Sequence, residues 1–118
     1  MRRLALAIGL SLVAAAAGAQ GWRHVRTVGM IDMVLIEQAH DRRQATYRDA
    51  VGKICSRKPD FCKVLFWSDP AMVPRAMPMT IAQARAMRAD WIFNRRSGYR
   101  QMLWACDIVP DPDQCFKP

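Results

Sequence analysis

Residues 55–67 read CSRKPDFCKVLFW and place two cysteines on either side of a turn, directly before a short apolar run. Lys58-Pro59-Asp60 is turn chemistry, because proline fixes one backbone angle and aspartate hydrogen-bonds to nearby amides. Residues 64–67 are β-branched, aliphatic or aromatic and are followed by Asp69-Pro70, so they are the best candidate for a β-strand. The stretch therefore predicts a disulfide-closed turn that leads into a strand.

The chain has four cysteines, an even number that favours two disulfides in an oxidising compartment. They fall into two close groups, Cys55 with Cys62 and Cys106 with Cys115. This grouping favours the two local pairings, while a crossed pairing between the groups stays open as the alternative. Neither group has the C-x2–4-C spacing of structural zinc sites or the C-x-x-C spacing of catalytic dithiols. We interpret the cysteines as structural.

Residues 1–19 have the three parts of a cleavable secretory signal peptide. Arg2-Arg3 supplies the positive start, residues 4–13 the short apolar stretch, and residues 17–19 the small side chains before the cut. We therefore expect residues 20–118 to form one small domain in the periplasm or the medium, and the alanine-rich signal favours a bacterial source. Cleavage would remove two of the 18 basic residues and none of the 10 acidic ones, lowering the formal net charge from +8 to +6. No later stretch has the roughly 20 apolar residues that a transmembrane helix needs.

The segment before the first cysteine predicts helical structure. Residues 32–55 contain no proline, and their apolar positions approximate one face of one helix, or of two helices with a break. Residues 30–36 fit a buried strand equally well, because periodicity alone does not separate the two for a short apolar run. Residues 69–79 and 107–118 each contain three prolines and are expected to be irregular.

A helix start is well marked at Thr80. Residues 80–83 have the T-x-x-Q form of a capping box, which predicts a helix over residues 80–94. After the break at Ser97-Gly98, apolar residues return at helical spacing and predict a second helix over residues 99–106, with a strand over residues 102–106 as the alternative. The predicted fold class is mainly α (α+β), with two to four helices and at most one short sheet element, stapled by two disulfides.

Arginines and aromatic residues are interspersed along the segment that these two predicted helices would form. The arginines are Arg85, Arg88, Arg95, Arg96 and Arg100, and the aromatic residues are Trp91, Phe93, Tyr99 and Trp104. Such a basic-aromatic face binds anions, and export favours an acidic protein, an anionic glycan or another envelope component over nucleic acid. The alternative is that the arginines are the solvated side of a helix whose aromatic residues are buried.

The long loop is the second candidate binding surface. Its candidate contact residues are Trp67, Asp69, Met72, Met77 and Met79. Loops held on a rigid frame often carry function, and this one is longer than most plain connections. Methionine thioethers also bind copper(I), but methionine is ordinary core filler as well. We predict no metal and no cofactor, and keep a periplasmic copper carrier using this loop as the alternative.

Residues suited to catalysis are scarce, since the chain has two histidines and a single glutamate. Glu37 and His40 have the E-x-x-H spacing, but carboxylate-bridged iron sites need that motif twice. Asp111 and Asp113 lie in a proline-stiffened loop, where aspartate commonly serves turns. We expect no catalytic residues, with a small enzyme using Glu37 and His40 as the alternative. The sequence thus predicts a non-catalytic binding or inhibitory module for an anionic or protein partner.

Overall fold

The computed structural model describes residues 20–116, so the signal peptide predicted at residues 1–19 lies outside the described residues. The strands are β1 (Trp22–Val28), β2 (Ile31–Ile36), β3 (Phe61–Trp67), β4 (Ala89–Asn94), β5 (Tyr99–Ala105) and β6 (Cys115–Phe116). The helices are α1 (Gln44–Cys55) and α2 (Ile81–Ala86), and short 3-10 turns occupy Gln38–His40 and Pro70–Met72.

The strands of the described chain form one mixed sheet in the order β1-β2-β3-β4-β5-β6. Neighbouring strands are antiparallel except for the pairs β2–β3 and β5–β6, which are parallel. Parallel neighbours need a crossover connection, and α1 supplies it between β2 and β3. The β1–β2 hairpin turns at Gly29, whose φ of 60° is one that glycine adopts without strain.

The neighbouring strands β2 and β3 contribute side chains to two cores, one on each face of the sheet. On the α1 side lies the first core, which consists of Trp22, Val34, Ile36, Tyr47, Ala50, Cys55, Cys62, Val64, Phe66, Ala89 and Trp104. On the opposite side lies the second core, which consists of Met33, Leu65, Trp67 and Val73, packed against residues of the long loop and α2. Because successive side chains of a strand point to opposite faces, a strand that is buried on both sides is a continuous apolar run. Residues 64–67 were recognisable as a strand for this reason.

The predicted fold class is wrong, because the domain is mainly β and its sheet has six strands in the described residues. Of the residues 32–55 predicted as one or two helices, only Gln44–Cys55 is α-helical, while Ile31–Ile36 forms β2. The buried-strand alternative for this run is the one observed. Pairing with β1 on one side and with β3 on the other decides its structure, and the pairing with β3 is a long-range contact that no local pattern shows.

The second error concerns residues 80–106. The capping box at Thr80 is confirmed, since Thr80 Oγ1 accepts from the Gln83 amide at 3.1 Å and Gln83 Oε1 accepts from the Thr80 amide at 2.8 Å. However, the helix ends at Ala86, and the two segments predicted to be helical beyond it are β4 and β5. They form a hairpin in which every second residue of β4 faces the first core. The apolar residues therefore follow the two-residue period of a strand. Over so short a segment, this pattern cannot be distinguished from helical spacing.

Both favoured disulfides are confirmed. Cys55–Cys62 connects the end of α1 to β3, and Cys106–Cys115 connects the end of β5 to β6. Two disulfides in so small a domain are typical of proteins that mature in an oxidising compartment. In residues 20–116, we find no helix with the length and apolar character needed to cross a membrane.

Candidate functional site

Three of the predicted arginines come together where β4 turns into β5. We define the arginine end of the sheet as Phe93, Arg95, Arg96, Tyr99 and Arg100. The Arg95 guanidinium lies 5.3 Å from the centre of the Phe93 ring, and the Arg100 guanidinium lies 5.7 Å from it. Both distances are in the range of cation–π contacts, which hold a guanidinium plane against a ring while its N–H edges stay free.

The turn at this end keeps the cationic groups in solvent. The Asn94 side chain accepts hydrogen bonds from the amides of Arg96 and Ser97, which fixes the turn. The Arg96 side chain is 81% exposed, and its ion pair with Asp60 is 3.4 Å long and also exposed. Exposed ion pairs of this kind contribute little to stability, so a binding partner can displace Asp60 at small cost. The arginines of this end are therefore available to an anionic partner.

Apolar surface lies next to these arginines. β4 is antiparallel to β3, so the start of β3 lies beside the end of β4. β2 is parallel to β3, so the start of β2 lies at the same end of the sheet. A shallow hollow of about 360 Å³ lies there and is lined by Met30, Asp60, Phe61, Asn94 and Arg96. Met30 is 66% exposed and Tyr99 is 52% exposed. Large exposed apolar side chains beside exposed charges are typical of a binding surface.

The other two predicted arginines are elsewhere. Arg88 precedes β4 and so lies about 20 Å from the turn at its far end, given the rise of a strand. Its guanidinium donates to Asp41 at 2.7 and 2.8 Å and to Asp107 at 2.7 and 3.0 Å. Arg85 is exposed on α2, on the side of the second core. The structure thus brings together Arg95, Arg96 and Arg100 only.

The ion pairs of Arg88 alter the acidity of the groups involved. Burial alone would lower the pKa of Arg88, but the two carboxylates outweigh it, so the pKa is raised. The hydrogen bond from Arg88 is also the main cause that holds the pKa of Asp107 below its ordinary value. The positive charge of Arg88 is therefore retained and is balanced by two carboxylates, and these ion pairs connect the residue before β4 to the segments around Asp41 and Asp107.

The aromatic residues of the predicted basic-aromatic face are also divided. Trp104 is buried in the first core, and Trp91 packs against that core from β4. Phe93 and Tyr99 remain at the arginine end, Phe93 partly exposed and Tyr99 largely so. The aromatic contribution to a binding surface there comes from these two rings.

The loop residues predicted as a second binding surface mostly cover the sheet. Trp67 is fully buried, and its Nε1 donates to the Gln83 carbonyl at 2.9 Å. Met72 and Met79 pack against the second core. The Asp69 carboxylate accepts from the Ala71 amide and caps the 3-10 turn. Met77 is 39% exposed.

A polar cluster that was not predicted from the sequence lies beside the C-terminal end of α1. A cavity of about 630 Å³ lies between the β1–β2 hairpin and the C-terminal turn of α1, and it is lined by Gln20, Trp22, His24, Thr27, Asp32, Lys53, Ile54, Ser56, Arg57 and Lys58. At its base Asp32 is 3% exposed. The carboxylate accepts from Thr27 Oγ1 at 2.7 Å, contacts His24 Nε2 at 2.9 Å and pairs with Lys58 Nζ at 2.9 Å.

These contacts keep Asp32 ionised. Burial alone would raise the pKa of the Asp32 carboxyl, but its three polar neighbours favour the charged form more strongly, so the pKa lies below its ordinary value. An aspartate inside the apolar run of residues 30–36 is the one sequence signal for this cluster, because an acidic residue in a buried strand needs partners. The partners themselves come from β1 and from the turn after α1, and no fixed spacing announces them.

Glu37 and His40 do not lie on an α-helix. Glu37 is exposed and precedes the 3-10 turn Gln38–His40. His40 Nδ1 lies 2.8 Å from Thr46 Oγ1, and the His40 ring covers Gly21 so closely that a Cβ there would collide with it. Within residues 20–116, no group of three or more histidine, cysteine, aspartate or glutamate side chains is placed to hold a metal ion.

Comparisons of the chain with protein-family models, with curated proteins and with solved structures gave no match. The candidate site therefore rests on its own geometry.

Proposed function

We propose that this protein is a non-catalytic binding module of the periplasm or the medium, and that its arginine end binds an anionic partner. The observation that carries the proposal is the contrast between the arginines. The charge of Arg88 is balanced by two carboxylates, whereas Arg95 and Arg100 are held on Phe93 and have no carboxylate partner among the described residues.

The ring contacts support binding for a physical reason. A free arginine side chain loses much rotational freedom when it binds a carboxylate, and that loss weakens the complex. Arg95 and Arg100 are already restrained by the Phe93 ring, so less freedom remains to be lost. Their planar guanidinium groups can then donate two parallel hydrogen bonds to a carboxylate or phosphate.

The net charge of the chain supports the same partner class. A formal net charge of +8, or +6 once the predicted signal peptide is removed, attracts acidic molecules over distances comparable to the Debye length, about 8 Å at physiological ionic strength. The exposed Met30 and the hollow beside Arg96 add apolar contact area at the same end of the sheet. Charge would bring the partner to this end, and apolar contacts would hold it there.

Charge reversal tests the proposal. We expect R95E/R96E/R100E to bind immobilised polyglutamate at least about tenfold more weakly than the wild type, since three exposed ion pairs of modest strength are each converted into repulsion. Equilibrium binding measured at two salt concentrations checks this, and the wild-type affinity should fall as salt rises.

The matched control is R23E/R75E/R85E, which changes the net charge by the same amount. These three arginines are exposed and have no ion-pair partner within residues 20–116. The control should keep most of the wild-type affinity. Equal losses in the two variants would contradict a local site and indicate attraction by net charge alone.

A further inference from the structure

The outer edge of β5 is unpaired over most of its length in the described chain. β6 pairs only with the last two residues of β5, where Trp104 lies opposite Cys115 and Ala105 opposite Phe116. The residues between β5 and β6 leave the edge, because Ile108 and Val109 pack against the first core. Residues 99–103 therefore present an open strand edge directly beside the arginine end.

The hydrogen-bonding pattern identifies which backbone groups are open. The Ala105 amide donates to the Arg88 carbonyl on the β4 side, whereas the Trp104 amide donates outward to the Gln114 carbonyl. Antiparallel strands alternate in this way along their length. It follows that Arg100 and Met102 direct their amide and carbonyl groups outward.

The opposite edge of the sheet differs. β1 has a bulge between His24 and Arg26, and it carries charged side chains along its length. Arg26 also reaches across to donate to the carbonyl groups of Val73 and Pro74. Bulges and charges are the devices by which proteins prevent strand addition at an edge. β5 pairs with β4 without a bulge, and Arg100 is its only charged residue.

We propose that β5 accepts an extended acidic peptide segment as an additional strand, with its backbone paired to Arg100 and Met102. This inference rests on the proposed function and specifies its partner as a protein. Residues directly opposite each other in a ladder share a face of the sheet. An acidic side chain opposite Arg100 and an apolar one opposite Met102 would therefore complement β5 on the face that also bears Phe93.

A second copy of the chain is a poorer occupant of the same edge. Two β5 strands paired with each other would bring two copies of Arg100 and of the neighbouring arginines together. Like charges placed close together across a ladder destabilise it. An acidic segment has no such repulsion to overcome.

Amide hydrogen exchange with a synthetic peptide tests the proposal. The probe is the octapeptide Thr-Val-Thr-Glu-Thr-Val-Thr-Glu, which places valine and glutamate alternately on one face. Its control is the same peptide N-methylated at the first glutamate and the second valine, whose amides would otherwise donate to β5. We expect saturation with the first peptide to slow exchange of the Arg100 and Met102 amides by at least about tenfold, as new hydrogen bonds do. The Gln101 and Leu103 amides, already bonded to β4, should not change. The N-methylated peptide should bind about tenfold more weakly because it lacks two ladder hydrogen bonds.

The outcomes separate this inference from the proposed function. If the peptide binds and R95E/R96E/R100E loses it, but exchange at Arg100 and Met102 is unchanged, then strand addition is wrong and the proposed function stands. If the wild type and that variant bind the peptide equally, the proposed function is wrong and the inference falls with it. Protection of both amides without peptide, together with a dimer mass by light scattering, would show a second copy at the edge and overturn the acidic-peptide proposal.

Discussion

Replacing Trp67 by alanine is expected to lower the free energy of unfolding by about 3–5 kcal/mol, the usual cost of truncating a large buried aromatic residue. Trp67 is fully buried at the end of β3 and packs in the second core with Leu65 and Val73. Its Nε1 also donates to the Gln83 carbonyl at 2.9 Å, which connects α2 to the sheet. Truncation would leave a cavity and remove that connection.

Chemical denaturation of the oxidised protein measures this effect. Trp67→Phe should be less destabilising than Trp67→Ala because the phenyl ring retains part of the packing, although it also loses the hydrogen bond to the Gln83 carbonyl. Met77→Ala is the surface control from the same loop, since Met77 is 39% exposed, and it should change stability by no more than about 0.5 kcal/mol. If Trp67→Ala lowered the free energy of unfolding by less than about 1 kcal/mol, Trp67 would not act as a core residue.

The second large effect is expected at Asp32. Asp32→Asn keeps the shape of the side chain but removes the charge that pairs with Lys58 and favours the contacts with Thr27 and His24. Breaking a fully buried pair from one side costs about 3–5 kcal/mol. The Lys58 side chain is 33% exposed, so water compensates for part of the loss. We therefore expect Asp32→Asn to lower the free energy of unfolding by about 2–3 kcal/mol at neutral pH, which is closer to the contribution of hydrogen bonds to charged groups.

The same substitution should change the response to acid. The pKa of Asp32 is lowered in the folded protein, so its contribution is complete above the unfolded value near 3.9 and is lost as pH falls through the lower folded value. The difference in stability between the wild type and Asp32→Asn should shrink below about pH 4. A difference that stays constant from pH 7 to pH 2 would show that the charge of Asp32 does not stabilise the fold.

Local features of the fold were predictable, and long-range ones were not. The disulfide at Cys55–Cys62 and the capping box at Thr80 depend on residues close in sequence, and both are present as predicted. The β4–β5 hairpin, in contrast, begins at Ala89, with only two residues between it and the end of α2, and its apolar residues fit the period of a helix or of a strand. Pairing of β4 with β3 on its other side stabilises it as a strand, and that contact lies outside the segment.

The candidate site was predictable to the same extent. Arg95, Arg96 and Arg100 are close in sequence and border one turn, so a local pattern placed them together. The ion pairs of Arg88 with Asp41 and Asp107 join positions far apart in the chain, and no local pattern indicates them. The open edge of β5 could not be foreseen, because it exists only once β5 is known to be a strand.

The most direct test of an anion-binding arginine end is to map the site on the oxidised, isotope-labelled protein by titration with polyglutamate. We predict that the largest changes in amide chemical shift occur at residues 93–102, with smaller ones near Met30 and Asp60. Changes centred on the loop at residues 69–79, or on the cavity beside residues 53–58, with residues 93–102 unaffected, would contradict the proposal.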